Sequence, residues 1–417
     1  MTDLGQTRRL RAFPLLILRT LPVVLGALVL STVIWPPKID ARELPSTLTD
    51  KAFWQLVTDS SESGGSFPSN NFVSNELAFQ TVIPKLQQTV AKGGVYIGVG
   101  PDQNFTYIVG LRPKMAFIVD IRRQNLLHHL LYKAVIEMSP TRADYLSRLF
   151  GRAKPKDVAA NAPAEALLTA FSAQEPDEQM YQNSVREVLE LLIRKHRFTL
   201  DEDDTRVIEY IYRAFFEYGP EITYAPVAAP SFGGRNVRII STPYPSFAEL
   251  QMQSDGAGTN RAYLATEGNY GILREMQLKN LIVPIVGDFA GPKALRAVGR
   301  FVRDRGGKVT SLYTSNVEQY LFQNQVWKQY YTNVSTLPLD STSTFIRAYF
   351  PRNVAPQIVY RGSGQSPAYV PPPMPAEALN MRLPSVTRLC SAKALIAAVE
   401  GGDIAHYFDV VEFGHGK

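Results

Sequence analysis

The sequence predicts a three-layer α/β fold: a mostly parallel sheet with helices on both faces, interrupted by a mainly helical insertion. Three observations carry that prediction. The apolar run Val95-Tyr-Ile97 ends in Gly98-Val-Gly100, a helix-compatible segment follows, and a second apolar run, Met115–Asp120, ends in an acid 20 residues after Gly100. The same alternation resumes at Leu281–Val286, Pro292–Arg305 and Lys308–Tyr313. Between the two blocks the apolar residues recur at helical rather than strand spacing. Continuous apolar strands separated by helices imply parallel pairing through right-handed crossovers. The carboxyl ends Gly98–Asn104, Asp120, Gly287–Ala290 and Thr314–Asn316 are then expected to line one crevice.

At the N-terminus, Arg8, Arg9 and Arg11 precede an apolar stretch, Phe13–Trp35, that only Arg19 and Thr20 interrupt. From Leu21 the uninterrupted part is 15 residues, the length of a signal-peptide core; from Phe13 it is 23, enough to span a bilayer if Arg19 snorkels. Residues 1–41 are therefore expected to be a signal peptide or a retained membrane anchor, with Ile39-Asp-Ala41 a poor cleavage site and the rest of the chain exported. Residues 42–138 hold a lid and the first half of the sheet domain. Within them, Thr49 caps a helix with Phe53, Trp54 and Val57 on one face. Ser60–Asn71 is a loop of the length that commonly forms a lid, and Asn75–Gln88 reads as a helix leading into the first strand. Arg122–Met138 follows as a further helix.

Asp144–Gly151 reads as a short helix stopped by its glycine, at the start of the helical insertion expected over 139–260. There, 152–175 is Ala/Pro-rich and reads as a linker or flap. Pro176–Phe198 and Asp201–Tyr218 read as amphipathic helices, the first with Val185, Val188, Leu189, Leu192 and Ile193 as its stripe. The stretch 219–260 is irregular apart from a short strand near Val237–Ile240. Residues 261–417 form the second half of the domain and a C-terminal extension. Ser315–Lys328 is helical, Phe345–Phe350 and Gln357–Tyr360 are a terminal antiparallel pair, and Pro367–Pro375 is a polyproline-like surface segment. Pro284 sits awkwardly in a central strand.

With 417 residues and 45% hydrophobic content the chain can bury a large core. Its formal charge of +6 is small for the length and no long basic run follows the N-terminus, which gives nucleic-acid binding little support. The single cysteine, Cys390, excludes an intrachain disulfide and a multi-cysteine zinc site. The five histidines show no metal-ligand spacing. His128 and His129 point roughly 100° apart on a helix and cannot chelate one metal, so one is expected buried and the other solvated. Asp201–Asp204 opposes the positive end of a helix and needs no metal.

Gly98 and Gly100 match the first two glycines of a nucleotide-binding turn, but 102 and 103, where a third would fall, are Asp and Gln. Asp120 is spaced to accept ribose hydroxyls or to cap the next helix. Ile97-Gly-Val-Gly100, Val119-Asp-Ile-Arg-Arg-Gln-Asn-Leu-Leu127 and Asp144–Gly151 together resemble S-adenosylmethionine-dependent transferases over 95–151. The closest pattern is the group that moves the aminocarboxypropyl chain onto diacylglycerol in betaine-lipid synthesis. Val286-Gly-Asp-Phe-Ala-Gly-Pro-Lys293 and Ser315–Leu321 are similar to a bacterial family of exported methyltransferase-like proteins, over most of 50–350. The resemblance implies a Rossmann-like, class I methyltransferase-like sheet with S-adenosylmethionine as cofactor. By it, Gly98 and Gly100 approach the methionine moiety, Asp102 and Asn104 belong to the same turn, and Asp120 meets the ribose. Arg122 and Gln124 then contact the adenosine. In the lid segment Ser60–Glu76, Asn75 and Glu76 are placed either to contact the cofactor's amino-acid end or to cap a helix with Glu in its first turn. Asp288 and Glu318 are the candidates for a general base, with capping of the helix at Pro292 the competing role for Asp288.

The leading expectation is a transferase of a methyl or aminocarboxypropyl group to an unknown acceptor. Export weighs against it, because S-adenosylmethionine is a cytoplasmic metabolite. The alternative is a non-enzymatic envelope protein that keeps the fold as a scaffold. A nicotinamide oxidoreductase is a third reading, disfavoured by Gln103 and by the lack of a Tyr-x-x-x-Lys pair. A crevice open and polar around Asp120 favours the cofactor; one filled with bulky side chains favours the scaffold.

Overall fold

Two segments without a single solvent-facing residue, β1 (Val95–Gly98) and β2 (Met115–Asp120), pair in parallel at the centre of the sheet, Val95 opposite Met115 and Gly98 opposite Ile118. Burial on both faces is what a continuous apolar run requires. The computed structural model describes residues 43–225, 244–350 and 385–414, all within one compact unit, Asp40–Lys417. The sheet is completed by β3 (Ile282–Val286), β4 (Val309–Ser315), β5 (Leu339–Tyr349) and β6 (Val386–Ser391) in the order β3-β2-β1-β4-β5-β6. Every pair is parallel except β5 with β6. This is the doubly wound, Rossmann-like order, with its switch point between β1 and β4, and with a reversed edge strand. Pro284 causes no conflict because β3 ends the sheet, where a missing N–H leaves no gap in the ladder.

Helices cover the sheet. The first, α1 (Asp50–Ser60), is capped by the Thr49 hydroxyl and buries Phe53 and Val57 against β3. A short α2 (Ile83–Thr89) and α3 (Gln103–Leu111) flank β1, and α4 (Arg123–Glu137) packs on β2 and β3. The insertion then holds α5 (Arg142–Phe150), α6 (Ala164–Ser172), α7 (Glu178–Leu189), α8 (Glu202–Tyr218) and α9 (Phe247–Met252). Gly151 stops α5 at φ 57°, and Asp201 caps α8 in a reciprocal box with Asp204. The chain returns through α10 (Glu267–Leu278), α11 (Ala294–Asp304), α12 (Val317–Gln323), α13 (Trp327–Ser335), α14 (Ala392–Gly401) and α15 (Tyr407–Glu412).

Several expectations are corrected. The helix expected over Asn75–Gln88 starts late: Ala78 takes a left-handed φ of 59°, a 3₁₀ turn spans Phe79–Val82, and only then does α2 begin. The supposed linker 152–175 contains α6, whose Leu167, Leu168 and Phe171 are buried. β5 is parallel to β4, and its antiparallel partner is β6 rather than Gln357–Tyr360, which lies outside the described residues, as do Val237–Ile240 and Pro367–Pro375. Both His128 and His129 are buried, because α4 is enclosed by the sheet on one side and the helical insertion on the other. The N-terminal apolar stretch is likewise outside the described residues. Among those that are described, no helix is long and apolar enough to cross a membrane.

Candidate functional site

The carboxyl ends of β1, β2, β3 and β4 open into a cavity of about 340 Å³. Its walls include Gly100 and Pro101 after β1, Asp120 to Arg122 after β2, Asp288 and Phe289 after β3, and Ser315 to Val317 after β4. The loop after α1 closes it from above. That loop is tied down: the Glu62 amide donates to the Val286 carbonyl (2.9 Å), the Gly65 amide to the Ile121 carbonyl (2.7 Å), and Phe67 meets Tyr320 edge-on at 5.2 Å. A Cβ on Gly65 would press within 2.7 Å of the Ile121 side chain, so the lid passes close over the residue that follows β2.

Glu76 is the most informative wall residue. It is 1% exposed. One carboxylate oxygen accepts from the Tyr313 hydroxyl (2.8 Å) and from Ser315 Oγ; the other accepts from Gln103 Nε2 (2.9 Å). All three donors are neutral, and among the described residues no Lys, Arg or His lies within ion-pair distance. Burial pushes its carboxyl above the ordinary range, only partly offset by Ser315, Gln103 and Tyr313. Gln103, the residue standing where a third fingerprint glycine would be, is thus a supporting partner of this carboxylate, and it also accepts from Ser74 Oγ. Ser315 adopts a left-handed φ of 49°, a strained backbone that places its hydroxyl on Glu76.

Asp120 lines the same cavity at 4% exposure, but it has a cation of its own. Arg122 donates Nε to Oδ1 and Nη2 to Oδ2, each at 3.0 Å, and its backbone amide also reaches Oδ1 (2.9 Å). Nη1 of the same guanidinium holds the lid through the carbonyls of Ser69 (3.1 Å) and Asn70 (3.0 Å). Oδ2 keeps room for one more donor. The helix after β2 starts at Arg123, so Asp120 organises the turn rather than capping a helix from Ile121. Asn71, another wall residue, has its Oδ1 buried without a hydrogen-bond partner among the described residues.

Six of the residues singled out from sequence meet at this cavity: Asn75, Glu76, Gly100, Asp120, Arg122 and Asp288. Four do not. Gly98 is a glycine for internal reasons: a Cβ there would overlap Asn104 Oδ1 and come within 2.7 Å of the Tyr96 ring. Asn104 is buried beneath the turn, donating Nδ2 to the carbonyls of Val99 (2.9 Å), Gly100 (3.2 Å) and Pro101 (2.7 Å) and accepting from Tyr96. Asp102 turns away into the insertion, where Gln251 and Tyr263 donate to its Oδ2 at 3.1 and 3.2 Å and burial lifts its pKa to about 7. Glu318 is buried under α12 with Tyr331 (2.6 Å) and Arg347 (3.5 Å), which removes it as a base candidate. Asp288 does not cap α11; Glu62 Oε1 accepts from the Ala294 amide (2.7 Å) instead, while Asp288 Oδ1 holds the Ala290 amide (2.9 Å). Glu62, Phe67, Tyr224 and Tyr313 carried no sequence signal, since lone residues in loops or strands reveal nothing of what lies across a fold.

Gly100 is the turn's glycine in the ordinary sense. Its φ is +75° and an added Cβ would meet nothing within 4 Å, so its backbone faces open space. His129, on α4, donates Nε2–H to the Gly100 carbonyl (2.9 Å); burial drops its pKa to about 4, leaving the ring neutral.

No curated protein matches the chain. A family model described as a domain of unknown function (DUF7790) matches residues 71–370, a span that holds β1–β5 and all of the crevice wall except Ser66, Phe67 and Pro68. The chain belongs to the DUF7790 family.

Proposed function

We propose that the crevice binds S-adenosylmethionine and that the protein is a transferase of a methyl or aminocarboxypropyl group. The observation that carries the reading is Glu76: a buried carboxylate on the cavity wall, surrounded by neutral donors and with no cation beside it among the described residues. A buried anion without a counter-charge is costly, and a ligand bearing positive charge relieves that cost. S-adenosylmethionine carries a sulfonium and an ammonium, and when bound it supplies the electrophilic carbon of the transfer. The remaining wall fits the same group. Asp120 Oδ2 has an acceptor position for a ribose hydroxyl, and Asn71 Oδ1 is an unpaired acceptor. Phe67, Tyr224 and Tyr320 offer aromatic surface to a base. Asn75, Asn316 and Asn324 bring amide donors for a carboxylate.

Asp288 is the chain's own candidate for taking the acceptor's proton. It is half-buried on the wall, and its Oδ2 has no partner among the described residues. Alignment and proton removal are what such a transfer asks of a protein.

Isothermal titration of residues 42–417 tests the reading. S-adenosylmethionine should bind, and more tightly than its demethylated product, which lacks the sulfonium charge. Because the raised Glu76 carboxyl must ionise to receive a cation, affinity should climb as pH rises through a range above the ordinary 4.5 and then level off. No heat at millimolar ligand refutes the proposal. The envelope-scaffold reading draws on one observation, that Arg122 already engages both oxygens of the expected ribose acid; it predicts that same silent titration.

A further inference from the structure

The opposite end of the sheet carries a second feature, unrelated to the crevice. The segments entering β1, β2, β4 and β5 surround an open hollow of about 430 Å³ whose wall includes Lys92, Lys114, Arg305 and Lys308. Lys92, Lys114 and Lys308 are exposed, and none has a carboxylate within ion-pair distance among the described residues. Arg305 lies over the Phe301 ring at 3.8 Å, which holds its guanidinium on the rim. Among the described residues two acids share the wall, Glu43 and Asp340, and Asp340 is occupied by the Thr342 amide and hydroxyl (2.8 and 2.7 Å). Three lysines gathered without ion-pair partners among the described residues are held there against their own repulsion, a cost that an anionic surface removes.

The chain itself indicates which anionic surface. Leu44 is buried at this end of the sheet, against Gly307, so the chain enters the fold through the basic rim. Trp35, the last residue of the apolar stretch, precedes Glu43 by eight residues. Eight residues reach at most about 29 Å when fully extended. A bilayer that takes up the apolar stretch, during export or permanently, is therefore held within that reach of four clustered cations.

We propose that the Lys92/Lys114/Arg305/Lys308 face is a docking surface for an anionic lipid bilayer. Basic clusters beside a membrane attachment bind anionic headgroups by long-range attraction that salt screens. Seated on this face, the body has its crevice at the far end of the strands from the bilayer. On the transferase reading, the acceptor then arrives from the aqueous side rather than from the lipid.

Residues 40–417 hold every described residue and the entire core, so this body can be tested without the apolar stretch. The measurement is co-sedimentation with phosphatidylcholine vesicles, with and without about a third phosphatidylglycerol. Binding is expected only to the anionic vesicles, weakening at least tenfold between low and roughly 0.5 M salt. A K92E/K114E/K308E variant, checked for an unchanged melting temperature, should lose at least tenfold in partitioning, while a K51E/R206E variant on exposed helix faces should lose far less. Equal binding to neutral vesicles, no binding to anionic ones, or full binding by the triple variant overturns the proposal. None of these results bears on the crevice, whose titration stands or falls separately.

Discussion

Two buried carboxylates lie close to the glycine turn, and their fates differ. Glu76 and Asp102 are both about 1% exposed, both hydrogen-bonded by neutral donors, and both raised by burial. Glu76 faces the cavity; Asp102, two residues past Gly100, faces a closed interior where its Oδ1 has no partner among the described residues. The chemistry of the two acids is nearly the same, and what separates them is the open space in front of Glu76, on which the proposed ligand-receiving role rests. A raised pKa alone does not mark a site; the proposal for Glu76 stands on the cavity it lines, which Asp102 does not.

The sharpest way to break this comparison is to neutralise each acid. Glu76→Gln should cost about 100-fold or more in S-adenosylmethionine affinity, roughly 3 kcal/mol, with the melting temperature held or raised. Equal binding by the variant would mean that the carboxylate faces nothing of importance.

The two glycines sharpen the comparison next. Gly98→Ala should destabilise the fold by about 3 kcal/mol, since the new methyl collides with Asn104 and Tyr96 inside the packed turn. Gly100→Ala should cost about 1–2 kcal/mol from its positive φ alone. Denaturant melts of both variants check the order, and the reverse order would mean that the turn is packed differently.

Asp102→Asn mimics the protonated acid. Its folded pKa, about 7, lies above the unfolded value, so the wild-type chain loses stability as pH climbs from the ordinary carboxylate range to about 7 and then stays flat. The variant should therefore gain on the order of 2 kcal/mol at pH 8, gain almost nothing near pH 4, and bind ligand as before. A gain that does not depend on pH would sink this assignment.

The smallest effect belongs to an acid pair that does have a cation. His196 bridges Glu137 and Asp50, both at 2.8 Å, tying α1 to α4. Burial opposes its charge, but the two carboxylates prevail and raise its pKa, while His196 lowers theirs against the same burial. The clasp is thus complete below the free histidine value of 6.5 and above the carboxylate range, and weakens as pH rises through the raised folded value. His196→Gln should lower the melting temperature by a few degrees near pH 5.5 and by less near pH 9.

Much of this was legible from residues. The apolar runs at 95, 115, 281 and 308 marked four parallel strands because a strand buried on both faces has no polar side to show. Thr49, Asp201 and Gly151 announced helix ends through purely local hydrogen bonding and φ. α6 stayed hidden because Ala and Pro on either side of a nine-residue helix blur its period.

What the sequence determined by itself, then, is whatever depends on neighbours in the chain: the strands, the caps, the turn at Gly100 and the acid 20 residues beyond it. Which polar groups face each other across the fold depends instead on packing between distant segments. Asp120 met Arg122, Asp102 turned into the insertion, Glu62 took the helix end expected of Asp288, and Glu76 was left without a cation beside an open cavity. The reason is physical. Backbone geometry acts over a few residues, whereas burial and charge pairing act through space between segments as far apart as Glu76 and Ser315.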